Sequence, residues 1–146
     1  MTGIAILTSQ QDAIASLIRI RSRALSAKDA DAVADCQSPG FVCYSLAPPL
    51  VSTGGVAELE SWFATWDGPL GYEARDLVVI AGEDVAFAHG LVNMSGRKRD
   101  GYAVDMWFRI TLGLTRTVAG WKISHEHDST PFYMDGSLRA AVDLTP

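Results

Sequence analysis

The stretch Gly101–Pro131, GYAVDMWFRITLGLTRTVAGWKISHEHDSTP, decides how the rest of the chain is read. Apolar and polar residues alternate from Asp105 to Leu112, the period of two that a strand with two unlike faces requires. Val118-Ala119-Gly120 reads as a three-residue loop, with Gly120 supplying the left-handed backbone such a hairpin needs. A second strand follows over Trp121–Asp128, and Pro131 ends it by removing a ladder donor. A three-residue loop sets Thr117 opposite Trp121, Leu112 opposite Glu126 and Ile110 opposite Asp128. Ser124, Glu126 and Asp128 then share a face with Phe108, Ile110, Leu112 and Leu114. Trp121, Ile123, His125 and His127 share the other with Arg109, Thr111 and Thr115. A two-residue loop exchanges the two sets.

Before this hairpin come two more strand-like runs, Glu73–Ala81 and Val85–Ser95, joined by turns at Gly82-Glu83-Asp84 and Gly96–Gly101. Four consecutive strands with short connections must be antiparallel neighbours. Ala86, Ala88 and Gly90 fall on one face of the second run and leave room, whereas Val85, Phe87, His89 and Leu91 fall on the other. Both faces therefore read as partly buried, and a second copy is expected to cover the outer one.

The first half of the chain has a helical period. Ser9 reads as a helix cap after a short apolar lead, Ile4 to Leu7, and Ile14, Leu17, Ile18 and Leu25 form one apolar side. Arg21 lies on or near that stripe, so it either packs its stem and extends its head to solvent or aims into a cavity. Asp29 caps a short second helix through Cys36, which Ser38-Pro39-Gly40 breaks. Phe41–Leu46 is a short strand. Thr53 reads as the cap of a third helix with Val56, Leu59, Trp62, Phe63 and Trp66 on its apolar face, ended by Asp67-Gly68-Pro69. Three helices and one early strand before a four-strand meander define an α+β class, one domain over 1–146. The curved antiparallel sheet is wrapped on one face by helices, as a cone with an interior cavity.

Composition bounds the function. With 48% hydrophobic and 20% charged residues the chain has the makings of a real core, which excludes disorder. A net charge of −5 argues against nucleic acid as a partner, and Arg97-Lys98-Arg99 reads as a solvated hairpin tip. No apolar run approaches the ~18 residues of a membrane span, so no membrane partner is expected. Cys36 and Cys43 lack metal-ligand spacing and read as reduced thiols of a cytoplasmic protein. His125 and His127 face the same way and have the geometry to share a metal, but a third ligand at a suitable spacing is missing. No metal or other cofactor is expected; His125, His127 and Arg109 are assigned to an interface or to structural hydrogen bonds. His89 reads as a packed histidine.

The run W-x-I-x-H-E-H-x-S-x-P-F from Trp121 to Phe132, preceded by D-x-W-F-R-x-T from Asp105 to Thr111, resembles the SnoaL-like and ketosteroid-isomerase-like proteins of the nuclear transport factor 2-like superfamily. The order of helices and strands resembles them along essentially the whole chain. The resemblance implies a cone-shaped α+β barrel with a deep pocket, a homodimer, and a function among isomerases, cyclases, dehydratases and proteins without a known reaction. In ketosteroid isomerases a catalytic aspartate follows the first strand and a tyrosine on the first helix binds the oxyanion. Here Tyr44–Pro49 contains no carboxylate and Arg21 stands at the matching helix position, so that constellation is not implied. In the kinase association domains of the superfamily, pocket arginines lie on the last strands, and Asp128 stands where the final one would be.

The expectation is therefore a cofactor-independent isomerase, cyclase or dehydratase-type enzyme acting on an apolar or semi-polar carbonyl compound. Glu126 and Asp128 are its proton-transfer groups, with pKa values raised by an apolar cavity; the alternative is that one or both, Asp128 more readily than Glu126, lie at the open end of the sheet and are simply solvated. Tyr44, Trp62, Trp66, Phe108 and Arg21 would line the ligand. The other expectation is a non-catalytic ligand-binding or assembly module on the same fold.

Overall fold

The computed structural model describes residues 2–146, with side chains described from Ser9 onward. Helix α1 spans Thr2–Ser26, so Ser9 lies inside it rather than capping it, and the side chains of Ile4 to Leu7 lie outside the described residues. Its end is built around Lys28, whose φ of 56° lets Asp29 N–H reach Ala24 O (2.9 Å) and Lys28 N–H reach Leu25 O (3.0 Å). Asp29 at once caps α2, Ala30–Asp35, by accepting from Ala32 N–H at 3.1 Å. Asp29→Ala should lower unfolding stability by about 1 kcal/mol, read as a shifted urea midpoint with unchanged slope.

Strands β1 (Gln37–Tyr44), β2 (Trp66–Ala81), β3 (Val85–Lys98), β4 (Ala103–Thr117) and β5 (Gly120–Ser129) form one sheet in the order β1-β5-β4-β3-β2. The meander β2 to β5 is antiparallel as expected, but β1 pairs parallel to β5, so the sheet is mixed rather than wholly antiparallel. Helix α3 is shorter than its apolar pattern, Val56–Phe63, and Gly55 rather than Thr53 is its N-cap. Trp66 belongs not to this helix but to the start of β2. It is buried against Ala24, Leu25, Val33, Phe63 and Leu70 in a small core. The Lys98 ammonium lies 3.8 Å from the Trp66 ring centroid. Gly96 sits so close beneath that ring that a Cβ there would lie 2.9 Å from Trp66, which leaves glycine as the residue that fits.

The main core lies between α1 and the inner face of the sheet. Ile14 and Ile18 meet Phe41, Cys43, Ala88, Val92, Phe108, Ile110, Leu112, Leu114, Trp121 and Ile123 there. Trp121 and Ile123 were expected on the opposite face. Pairing closes at Thr117 with Gly120, leaving only Val118 and Ala119 outside the ladder, and a bulge between Gly113 and Leu114 then absorbs Ser124 as an extra residue. The shorter loop turns Trp121 and Ile123 inward. The bulge restores the expected pairs Leu112 with Glu126 and Ile110 with Asp128. Gly120 does take a positive φ, 102°.

Ala88 and Gly90 do not leave space inside. Ala88 is fully buried, and a Cβ on Gly90 would stand 3.0 Å from Arg75 O, so the small residues let β2 close in at its own bulge. On the outer face Val78, Ile80, Val85 and Phe87 are 44–64% exposed, so within one chain that face is open, not partly buried.

Candidate functional site

Four elements bring ionisable residues into the main core at one level of the sheet. Strand pairing sets Cys43 of β1 and Leu112 of β4 on either side of Glu126 of β5, with Asp128 two residues on along the same face. Arg21 of α1 comes down onto them from the helix layer. Of the two readings open to it from sequence, the inward one holds: Arg21 is 4% exposed and Glu126 5%. Arg21 Nη2 donates to Glu126 Oε2 in a buried ion pair, and Nη1 donates to the Tyr72 hydroxyl of β2 at 3.5 Å. The Tyr72 ring in turn meets Phe108 edge-on at 6.1 Å.

Burial sets the protonation states. It pushes the Asp128 carboxyl up to about 9, helped by repulsion from Glu126 and only partly opposed by Arg21, so Asp128 carries a proton at neutral pH. Burial works against the charge on Arg21, but Glu126, Tyr72 and Asp128 outweigh it and the guanidinium is held above its ordinary value. Burial likewise raises Tyr72 and Cys43, keeping a neutral phenol and a thiol. The site thus holds one fixed cation and one carboxylate, with a neutral carboxylic acid beside them. Two of its buried polar atoms have no hydrogen-bond partner among the described residues: Arg21 Nε and Asp128 Oδ1. Each such atom costs roughly 1–3 kcal/mol, a penalty that a ligand's polar group would relieve.

Cys43, Glu126 and Asp128 place one donor atom each within 4.8 Å of one another, a spacing that suits a metal ion. Against a cation there stands the Arg21 guanidinium, which already supplies a positive charge to the same cluster and is paired with Glu126.

The other residues singled out from sequence lie elsewhere. Tyr44 is not beside the carboxylates. It is on the outer face, 41% exposed, with its ring edge-on to His125 at 4.8 Å and to His127 at 5.5 Å. His125 Nδ1 is 2.8 Å from Val42 O, and Arg109 Nε donates to Ser129 Oγ at 3.1 Å. His89 is exposed and stacks on Phe87 rather than being packed away. Trp62 and Trp66 belong to the small core, whereas Phe108 is in the main core with Glu126. Tyr72 and Cys43 are the members of the cluster that the sequence did not announce. Tyr72 stood at the edge of an expected strand, and Cys43 joins only because β1 pairs with β5.

Surface grooves lie among the described residues. One of about 430 Å³ follows Gln37–Val42 and meets Thr53 and Gly54; another, of about 780 Å³, lies between α1 and β2. Neither is lined by Glu126 or Asp128. Glu126 faces Arg21 rather than an open cavity.

The comparisons agree with this architecture. An NTF2-like protein of unknown function from Pseudomonas putida KT2440 superposes with a TM-score of 0.85 at 27% identity, over 95% of this chain and 98% of its own. A Streptomyces avermitilis protein of the NTF2-like family, named as a proposed dehydratase, gives 0.72 at 16% identity over 84% and 97%. The CaMKII association domain of C. elegans gives 0.66 at 20% identity over 85% and 98%. Likenesses at those last two identities speak to fold alone, and the fold is the NTF2-like α+β fold. No curated protein matches the sequence significantly. The SnoaL-like domain profile matches residues 14–133, most of the chain, and the protein belongs to the SnoaL-like domain family.

Proposed function

We propose that this chain is a cofactor-independent acid–base enzyme that isomerises, cyclises or dehydrates a carbonyl-bearing substrate with an apolar body. The observation that carries the reading is the Asp128 carboxyl: raised by burial, adjacent to the Arg21–Glu126 pair, with Oδ1 inaccessible and unpartnered. A protonated carboxyl beside a second carboxyl that is ion-paired with an arginine is the pattern of an acid and a base in one site. With the core side chains parted to admit the substrate, Asp128 would donate its proton to the carbonyl or the departing hydroxyl. Glu126, held as a carboxylate by Arg21, would take the carbon-bound proton. Phe108, Ile110 and Leu112 supply the dry surroundings in which those charges act strongly. The likeness in fold to a protein named as a proposed dehydratase is compatible with this chemistry.

A panel of β-hydroxy and α,β-unsaturated carbonyl compounds, followed by ultraviolet absorbance and by melting temperature, tests it. Turnover is expected for at least one, with Glu126→Gln and Asp128→Asn each lowering kcat about 10²–10⁴-fold. Ligands that raise Tm with no turnover would favour the non-catalytic module instead.

The same reading includes a homodimer, supported by the apolar outer face formed by Val78, Ile80, Val85 and Phe87. Sedimentation should give a dimer that Phe87→Asp dissociates; this face would also serve a purely assembling protein, and the association domain has the same fold. No described helix is long and apolar enough to cross a membrane. The free buried thiols of Cys36 and Cys43 are compatible with a cytoplasmic setting.

A further inference from the structure

The groove between α1 and β2 has a chemistry of its own. One wall is largely apolar, formed by Ile18, Leu77 and Tyr72. Arg19 and Arg23, four residues apart and so neighbours on one helix side, line it from α1, and Glu73 lines it from β2. Among the described residues none of these three charged side chains has an ion-pair partner, although the chain as a whole is acidic, with a net charge of −5. Two like charges at that spacing repel each other, and an anion between them removes the repulsion. The volume, about 780 Å³, falls within the range of small-molecule sites. Tyr72 belongs to two places at once: it lines the groove, and its hydroxyl accepts from Arg21.

We propose that this groove binds an amphipathic carboxylate, with the headgroup on Arg19 and Arg23 and the apolar body along Ile18, Leu77 and Tyr72. The guanidinium forks match a carboxylate in shape as well as charge, so they select it over an uncharged head of the same size. Glu73 opposes the headgroup and limits the affinity. The site stands apart from the carboxyl chemistry of Glu126 and Asp128, and its occupancy is independent of whether that chemistry occurs. Tyr72 nevertheless connects the two, since a ligand body pressed against it bears on the side chain that accepts from Arg21.

Calorimetric titration with decanoate, with decanol and acetate as controls, provides the test on the intact chain. Decanoate is expected to bind with a 1:1 stoichiometry, and acetate and decanol at least tenfold more weakly. Arg19→Gln with Arg23→Gln should weaken decanoate roughly tenfold or more and leave decanol unchanged. Glu73→Gln should tighten decanoate a few-fold. These exposed substitutions remove no core contact, so melting temperature without ligand should stay near that of the parent chain. Failure to bind decanoate, equal affinity for decanol, or affinity indifferent to the two arginines would each overturn the proposal. Because no turnover is read, a negative result here leaves the acid–base function untouched, and the absence of turnover leaves this site untouched.

Discussion

Arg21→Met should destabilise the chain by about 3–5 kcal/mol, the cost of stranding a buried charge rather than the worth of the pair itself. The argument rests on burial from both sides: Arg21 is 4% exposed and Glu126 5%, so neither can turn to water when its partner is removed. The lost guanidinium also deprives Tyr72 of its donor. Adding Glu126→Leu to the same chain replaces the pair with apolar side chains and should recover most of the loss, because the desolvation cost of both ions disappears together. Urea unfolding of the parent, the two single variants and the double variant measures this as a coupling energy. A single substitution costing less than about 1 kcal/mol would place the pair in the class of exposed ion pairs and contradict the burial.

The second large effect is on pH dependence. The folded-state pKa of Asp128 is raised, to about 9, above the ordinary carboxylate value of the unfolded chain. Between those two values the folded chain holds a proton that the unfolded chain has released. Folding stability must therefore fall as pH rises from about 4 toward 9, with the slope of a single proton. Asp128→Asn keeps the shape of the protonated group and removes the titration. Its stability should match the parent near pH 4, exceed it increasingly up to pH 8, and lack that slope. Identical pH profiles for the two proteins would show that Asp128 is ionised in the folded state. The stability gained would come with the loss of activity expected of the same substitution, the trade that functional acids in apolar sites impose.

The inner face of the last hairpin was legible because alternation over Phe108, Ile110, Leu112 and Leu114 admits only one buried side. That placed Glu126 and Asp128 correctly, though by two departures that cancel: a loop one residue shorter than expected and a bulge that returns the register. Gly113, inside a strand at that bulge, was the available signal for it. The elements misjudged share one cause. Pro39-Gly40 and Gly68-Pro69 read as breakers, yet both lie within strands, β1 and β2, beside register shifts. These are the two edge strands of the sheet, where a missing ladder donor costs little. An edge position cannot be known before the strand order is. For that reason Trp66 was attached to the wrong element, and the parallel pairing that brings Cys43 to Glu126 was not foreseen. Arg21 shows the same limit at longer range: its partner lies 105 residues away, and nothing local distinguishes an inward arginine from a snorkelling one.

The central claim is that the buried site keeps Asp128 protonated beside the ionised Arg21–Glu126 pair. Carbon-13 NMR of the Asp128 side-chain carboxyl, titrated from pH 3 to 10, tests it most directly. The account predicts the chemical shift of a neutral carboxylic acid at pH 7, with ionisation only at alkaline pH. A carboxylate shift at pH 7, reached through an ordinary transition near pH 4, would contradict it.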